Sequence, residues 1–328
     1  MSDEDSHRRT VSGRYSPLRY PGGKGKLARF MRDVVRLNGL SDGHYVEPFA
    51  GGAAIAWELL LTGIVKRVTI NDINRPVYAF WRCVVEETEE LNKRISDTAV
   101  SLSTWDKCKA TFSDADNQDD IDVAFAFFFL NRTNRSGILN AGVIGGRDQT
   151  GKWKIDARYN KLELIQRISK IAAYGSKITV CQEDAVEFLA SRANSFSKKT
   201  LIYVDPPYYE KGRHLYYDYY RSDDHTQIAD AVQAISDTRW IVSYDDVRPI
   251  HDLYEPSSWM QYTINYSARN KLRGREAMFF SEGLKVPQLE GTMIELDRGE
   301  GYSGDDGIPA NDRIIHALPE KVKMGTSA

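Results

Sequence analysis

Apolar positions in this chain recur with two periods. Leu27, Phe30, Met31, Val34 and Val35 fall three or four residues apart, which predicts a helix over Lys24–Arg36 stopped by Gly39. His44-Tyr45-Val46 reads as a short strand entering the turn Glu47-Pro48-Phe49-Ala50-Gly51-Gly52. Ala53–Leu61 then predicts a helix closed by Gly63, and Arg67–Ile70 a second strand ending in Asn71-Asp72. Further strands are predicted at Lys177–Cys181, Leu201–Val204, Trp240–Ser243, Gln261–Asn265 and Ala277–Ser281, seven in all. Helices at Leu162–Ala173, Ala185–Ala193 and Thr226–Ile235 intervene. This alternation implies an α/β fold, a largely parallel sheet with helices on both faces.

From about Val84 to Tyr159 the rhythm breaks. The stretch holds a helix-like Ile121–Leu130 and then a polar Gly/Asn/Arg segment, with no alternating strand. It is expected to be an inserted helical subdomain, residues 84–159, that splits the sheet-bearing domain into 1–83 and 160–286. The tail after Pro287, with Gly and Asp crowded at 299–307, shows no clear apolar face, so 287–328 is expected to be a mobile extension. No internal repeat is present.

Composition narrows the class. Of 328 residues 41% are hydrophobic, and no run of 18 apolar residues or apolar leader segment occurs. That excludes a helical membrane protein and makes a cytoplasmic location the expectation. Three scattered cysteines, Cys83, Cys108 and Cys181, read as buried free thiols. Six histidines without metal-ligand spacing predict no metal site. The net charge of −2 argues against a polyanion partner only if taken globally. Arg8, Arg9, Arg14, Arg19, Lys24, Lys26, Arg29 and Arg32 make the N-terminus basic, and Arg269, Lys271, Arg273 and Arg275 crowd one short segment. Local fields steer a polyanion, so nucleic acid stays open as a partner.

The chemistry concentrates in Asp205-Pro206-Pro207-Tyr208, directly after the apolar run Leu201–Val204. Two prolines cannot continue a sheet, so a carboxylate, bare carbonyls and an aromatic ring project from the strand's C-terminal edge. In open α/β sheets ligands bind at that edge. Such a cluster suits a flat base whose exocyclic amine must become nucleophilic. Glu47–Gly52 lies at a strand-to-helix turn where small residues let a ligand approach backbone N–H groups, or where they simply make a tight turn. Asp72 follows 25 residues after Glu47, near the spacing at which an acid reaches ribose hydroxyls; a helix-capping aspartate is the alternative. Asp184 is open to the same alternative. Pro17-Leu18-Arg19-Tyr20-Pro21-Gly22-Gly23-Lys24 is a second Gly-rich loop, without the spacing of a P-loop.

In order along the chain, Tyr20-Pro21-Gly22-Gly23-Lys24, Glu47–Gly52, Asn71-Asp72-Ile73-Asn74, Asp184 and Asp205–Tyr208 resemble the D12-class, Dam-like DNA adenine-N6 methyltransferases. The resemblance spans roughly Pro17–Ser281. It implies a Rossmann-like seven-stranded methyltransferase sheet with a helical target-recognition insert between the second and third strands, and S-adenosylmethionine as cofactor. It further implies that Tyr20, Gly23, Lys24, Glu47, Pro48, Phe49, Gly51, Asp72, Asp184 and Asp205 line the cofactor site, with Asp72 on the ribose hydroxyls and Asp184 on the adenine amino group. Asp205, Pro206, Pro207 and Tyr208 would carry catalysis: Asp205 and the Pro206 carbonyl accept the N6 hydrogens of a flipped-out adenine, and Tyr208 stacks on it. Cytosine N4, an RNA substrate, or a non-catalytic cofactor-binding regulator are the alternatives.

Double-stranded DNA is the partner this reading expects, bound by a monomer or weak dimer that a restriction endonuclease could accompany. Arg132, Asn134, Arg135 and Asn140 in the insert are residue types that read guanine and adenine edges or hold phosphates, or they form an exposed polar loop. The family often places Asn-Arg before a Gly and an aromatic; here Ile138 and Leu139 stand there. Arg19 adds to the basic N-terminus, and Arg269, Lys271, Arg273 and Arg275 read as a phosphate clamp or a solvated basic loop.

Overall fold

The computed structural model describes residues 15–19, 24–210, 221–255, 257–264, 275–289 and 293–300. Eight strands form one sheet in the order β3-β2-β1-β4-β5-β7-β6-β8. They are β1 (His44–Glu47), β2 (Arg67–Asn71), β3 (Ile178–Cys181), β4 (Thr200–Val204), β5 (Arg239–Asp245), β6 (Ser258–Ile264), β7 (Arg275–Phe280) and β8 (Met293–Glu300). The first five run parallel to one another, and β7, β6 and β8 extend the sheet beyond β5 by antiparallel pairing.

Strand alternation divides the core in two. Tyr45, Leu201, Tyr203 and Ile241 point to one face. There they meet helices α1 (Ala28–Leu37), α2 (Ala54–Leu61), α3 (Arg75–Glu86) and α7 (Lys161–Ala172). Val46, Ile202, Val204 and Val242 point to the other, against α8 (Ala185–Arg192), α9 (Ser222–Gln233) and α10 (Arg248–Leu253). Every residue of β4 is buried, as expected of a central strand covered on both faces.

Between α3 and α7 the chain forms α4 (Thr88–Asp97), α5 (Leu102–Ser113), α6 (Asp120–Thr133) and an irregular segment over 134–160. Helix α6 is apolar almost all round (Phe127, Phe128, Phe129 and Leu130 are fully buried), so it needs partners on every side. Phe128 stacks on Phe80 of α3 at 5.6 Å, and Tyr159 closes over Phe128 and Phe129. The helical stretch between the second and third strands therefore shares one continuous core with the sheet.

Two expectations are corrected. Among the described residues the sheet has eight strands, not seven, and the eighth lies in the tail that was expected to be mobile from 287. Met293–Glu300 pairs along the whole of β6, because an edge strand draws its stability from backbone pairing and needs little apolar burial of its own. Residues 301–328 lie outside the described residues.

Candidate active site

The C-terminal ends of β1, β2, β3 and β4 bring Glu47, Asp72, Asp184 and Asp205 to one edge of the sheet. Asn71, fully buried at the end of β2, ties three of these ends together. Its Nδ2 donates to the carbonyls of Pro48 and Glu183 at 3.0 Å each, and its Oδ1 accepts the Glu183 N–H at 2.9 Å. Asp72 accepts the Gly51 N–H at 2.9 Å and the Asn74 N–H at 3.0 Å. The turn after β1 is further held by Trp81, whose indole N–H donates to the Gly51 carbonyl at 2.9 Å, and by Ser16, whose hydroxyl donates to that of Gly52 at 2.7 Å. Ala53 carries a positive φ of 45° there, a left-handed conformation costly for a residue with a Cβ and sustained by this surrounding grip. Asp184 accepts the N–H groups of Val186 and Glu187 and so caps α8.

At the end of β4, Asp205 sits over β5. Its Oδ1 accepts the Ser243 hydroxyl at 2.7 Å, and Ser243 is itself 2.7 Å from the Tyr203 hydroxyl. The Lys24 ammonium lies 3.6 Å from Asp205 Oδ1 and 2.8 Å from Glu276 Oε2 on β7; it also donates to the Tyr208 hydroxyl, and stands 4.7 Å from the centre of the Tyr208 ring. Tyr262 donates to the same Glu276 oxygen at 2.8 Å. Lys24 and Glu276 are buried, whereas the Asp205 side chain keeps 22% of its surface open to the crevice.

This concentration of charge sets the acidities. Burial pushes the Asp205 carboxyl up to about 6, against the pull of the Lys24 ammonium and the Ser243 hydroxyl. Burial pushes Glu47 further, to about 8, so it carries a proton at neutral pH. Burial works against the charge on Lys24, yet Asp205 and Glu276 together raise its pKa above the ordinary lysine value.

Beyond the shelf formed by Asp205–Tyr208, Asp245 at the end of β5 accepts the N–H groups of Tyr209 and Glu210, both at 2.9 Å. It thereby fixes the backbone that follows Tyr208. Asp245, Ser243 and Glu276 escape a reading of the sequence. Glu276 is a lone acid at the head of the apolar run Ala277-Met278-Phe279-Phe280, and that misfit is the signal that could have found it.

The residues read as nucleic-acid contacts divide. Arg135 and Asn140 are exposed on the segment after α6. Asn134 is fully buried: its Oδ1 accepts the Trp105 indole N–H at 2.7 Å and its Nδ2 donates to the carbonyls of Ile138 and Leu139. Its amide is spent inside the fold. Arg132 donates to the carbonyls of Arg158 and Pro17, and burial lowers its pKa to about 10. Arg19 donates to the Asn134 carbonyl at 3.1 Å, and Gly137 presses on the Arg19 backbone so closely that a Cβ would lie 2.2 Å from the Arg19 carbonyl oxygen. Arg275, the first residue of β7, is exposed. Tyr20, Gly23, Arg269, Lys271 and Arg273 lie outside the described residues. Trp153, unremarked in the sequence, is 59% exposed, with the Lys152 ammonium 5.7 Å and the Arg158 guanidinium 5.8 Å from its ring.

A parallel sheet of this order, with acids at the ends of β1, β2 and β4, is the Rossmann-like scaffold of α/β methyltransferases. The chain belongs to the D12 class N6 adenine-specific DNA methyltransferase family, which it matches over residues 20–268. It is 26% identical over 205 residues to the Type II methyltransferase M.MjaIII of Methanocaldococcus jannaschii, covering 58% of this chain and 68% of that one. Among solved structures it is similar to the rRNA methyltransferase aviRa from Streptomyces viridochromogenes, with a TM-score of 0.35 at 12% identity over 85% of this chain and 93% of that one. Membership of the family makes the protein a DNA methyltransferase that draws on a methyl donor.

Proposed function

We propose that the protein methylates N6 of adenine at specific sites in duplex DNA, taking the methyl group of S-adenosylmethionine by direct in-line displacement onto a flipped-out base. The observation that carries this reading is the shelf Asp205–Tyr208, with an open carboxylate oriented by Ser243 and a ring fixed beside it.

The donor set fits the cofactor. Asp72 and the Gly51-Gly52 turn form one wall suited to hydroxyls, and the buried acids around Asp205 suit a positive sulfonium. Glu47, Pro48, Phe49, Gly51, Asp72 and Asp184 would hold it. When bound, it supplies an electrophilic methyl group.

The protein's own residues do the rest. The lone pair of an aromatic amine is delocalised into its ring and is a poor nucleophile. Asp205 and the Pro206 carbonyl each accept one N6–H, which draws the nitrogen towards tetrahedral geometry and aims its lone pair. Tyr208 stacks on the base, a contact worth about 1–3 kcal/mol in nucleic-acid sites. Once methylated, the nitrogen gives up a proton, and the ionised Asp205 is the base beside it. Arg135, Asn140, Arg275 and Trp153 would meet the DNA, with Arg269, Lys271 and Arg273, which precede β7 in the sequence, joining them.

Labelled S-adenosylmethionine incubated with DNA and RNA duplexes tests the reading. The label is expected in DNA, as N6-methyladenine at one recurrent sequence. Label only in RNA, or only in N4-methylcytosine, would overturn it.

A further inference from the structure

Three buried or half-buried groups share a single cation in the crevice. The Lys24 ammonium is 2.8 Å from Glu276 but 3.6 Å from Asp205, so its anchor is the residue on β7 and not the shelf carboxylate. Tyr262 braces that anchor from β6 through the same Glu276 oxygen. Asp205 Oδ1 already accepts the Ser243 hydroxyl, and no hydrogen bond from the described residues reaches Oδ2. A lysine seated on Asp205 itself would consume the lone pairs that an amine substrate needs. Held a short step away, it supplies positive charge and leaves those lone pairs free.

We infer that Glu276 is a positioning residue for methyl transfer, docking the Lys24 ammonium beside Asp205 so that the shelf carboxylate stays open to the incoming amine. The inference rests on the amine-methylating reading of the shelf and adds to it a residue from a strand beyond the family match, which ends at residue 268. The physical need is clear from the charges. Two carboxylates, Asp205 and Glu276, face each other across one ammonium, and the acidity of Asp205 responds to both partners. With Glu276 neutral, Lys24 loses its nearer carboxylate and closes on Asp205. The carboxylate is then more readily ionised and less able to accept N6–H.

The test is the pH dependence of single-turnover methyl transfer to DNA in Glu276→Gln and Tyr262→Phe. Glu276→Gln is expected to lower the plateau rate tenfold or more while moving the acid limb to lower pH. Loss of fold alone would lower melting temperature and active fraction without moving the limb, and removal of repulsion alone would move the limb without lowering the plateau. An unmoved limb, a limb moved to higher pH, or an unchanged plateau overturns the inference. Tyr262→Phe leaves the charges in place and removes one brace from Glu276, so a plateau loss of about threefold is expected; should Glu276→Gln not fold, an unchanged plateau in Tyr262→Phe overturns it. A wild-type protein that transfers no methyl to DNA would sink the parent reading instead.

Discussion

Asn131 grips Arg19 by both backbone groups: its Oδ1 accepts the Arg19 N–H at 2.8 Å, and its Nδ2 donates to the Arg19 carbonyl at 2.9 Å. One side chain on α6 thus imitates a strand partner for the segment that leads into Lys24. The same Nδ2 reaches the Gly137 carbonyl, so the loop bearing Arg135 and Asn140 is joined to that segment too. Replacing Asn131 by Ala leaves buried backbone groups unpaired, at a cost on the order of 2 kcal/mol. Asn131→Ala is expected to lower the melting temperature and, because Lys24 loses its register, to slow methyl transfer about tenfold. A calorimetric scan and a single-turnover assay check the two together; lost stability with an unaltered rate would detach the grip from catalysis.

Asp205→Ala removes the acceptor that orients the amine. Transfer is expected to fall by about two to three orders of magnitude, the loss typical of deleting one preorganised polar partner. Methyl-donor affinity measured by titration calorimetry should stay within about threefold, since the walls at Glu47–Gly51 and Asp72 are untouched. A variant that keeps near wild-type turnover contradicts the assigned role.

The carboxyl values give two distinct pH effects. Asp205 must be ionised to accept N6–H, so the transfer rate is expected to fall as pH drops through about 6. Glu47 acts on stability. Its folded carboxyl keeps the proton up to about 8 while the unfolded chain releases it near 4.5, so the folded state binds more protons across that window. The resulting stabilisation is full below 4.5 and is lost as pH rises towards 8. Between pH 6 and pH 8 the wild type should lose stability faster than Glu47→Gln, by about 1 kcal/mol per pH unit. Parallel urea titrations of the two proteins measure it; equal slopes would mean that Glu47 is ionised in the fold.

Asp245→Ala frees the N–H groups of Tyr209 and Glu210 and lets the ring of Tyr208 drift. The expectation is a lower turnover with little change in methyl-donor binding, and Asp245→Asn, which retains an acceptor, should recover part of the loss. Identical rates for the two variants would show that charge rather than the backbone clasp matters.

Trp153→Ala is expected to weaken DNA binding by a factor of about 5 to 150, the range that 1–3 kcal/mol of base stacking allows. Arg135→Ala should weaken binding less and reduce the salt slope by about 1. Fluorescence anisotropy across salt concentrations separates a stacking contact from a phosphate contact, and an unaffected Trp153 variant would remove that residue from the interface.

The parallel half of the sheet was legible because β1, β2 and β4 are short β-branched or aromatic runs that end in acids. Strand β8 was not, since its pattern is brief and runs into glycines and aspartates at 299–307. The place of Asp205–Tyr208 at a strand end was legible from an acid and two prolines following the apolar run Leu201–Val204. Its supports were not: Ser243, Asp245 and Glu276 come from strands adjacent only in space, by the pairing of β4 with β5 and of β5 with β7. Asn134 shows the complementary failure. Its residue type suits a base edge, but type does not fix direction, and the helix end turns it towards Trp105.

The family match stops at 268, yet β7 begins at 275 and slots between β5 and β6, and β8 closes the far edge at 300. The folded unit of this chain is therefore longer than the stretch the family match covers. A chain ended at residue 268 would leave β5 and β6 without the strand between them and would lose the glutamate beside the shelf. A fragment of this chain meant to carry the site must therefore run through residue 300, where β8 finishes its pairing along β6.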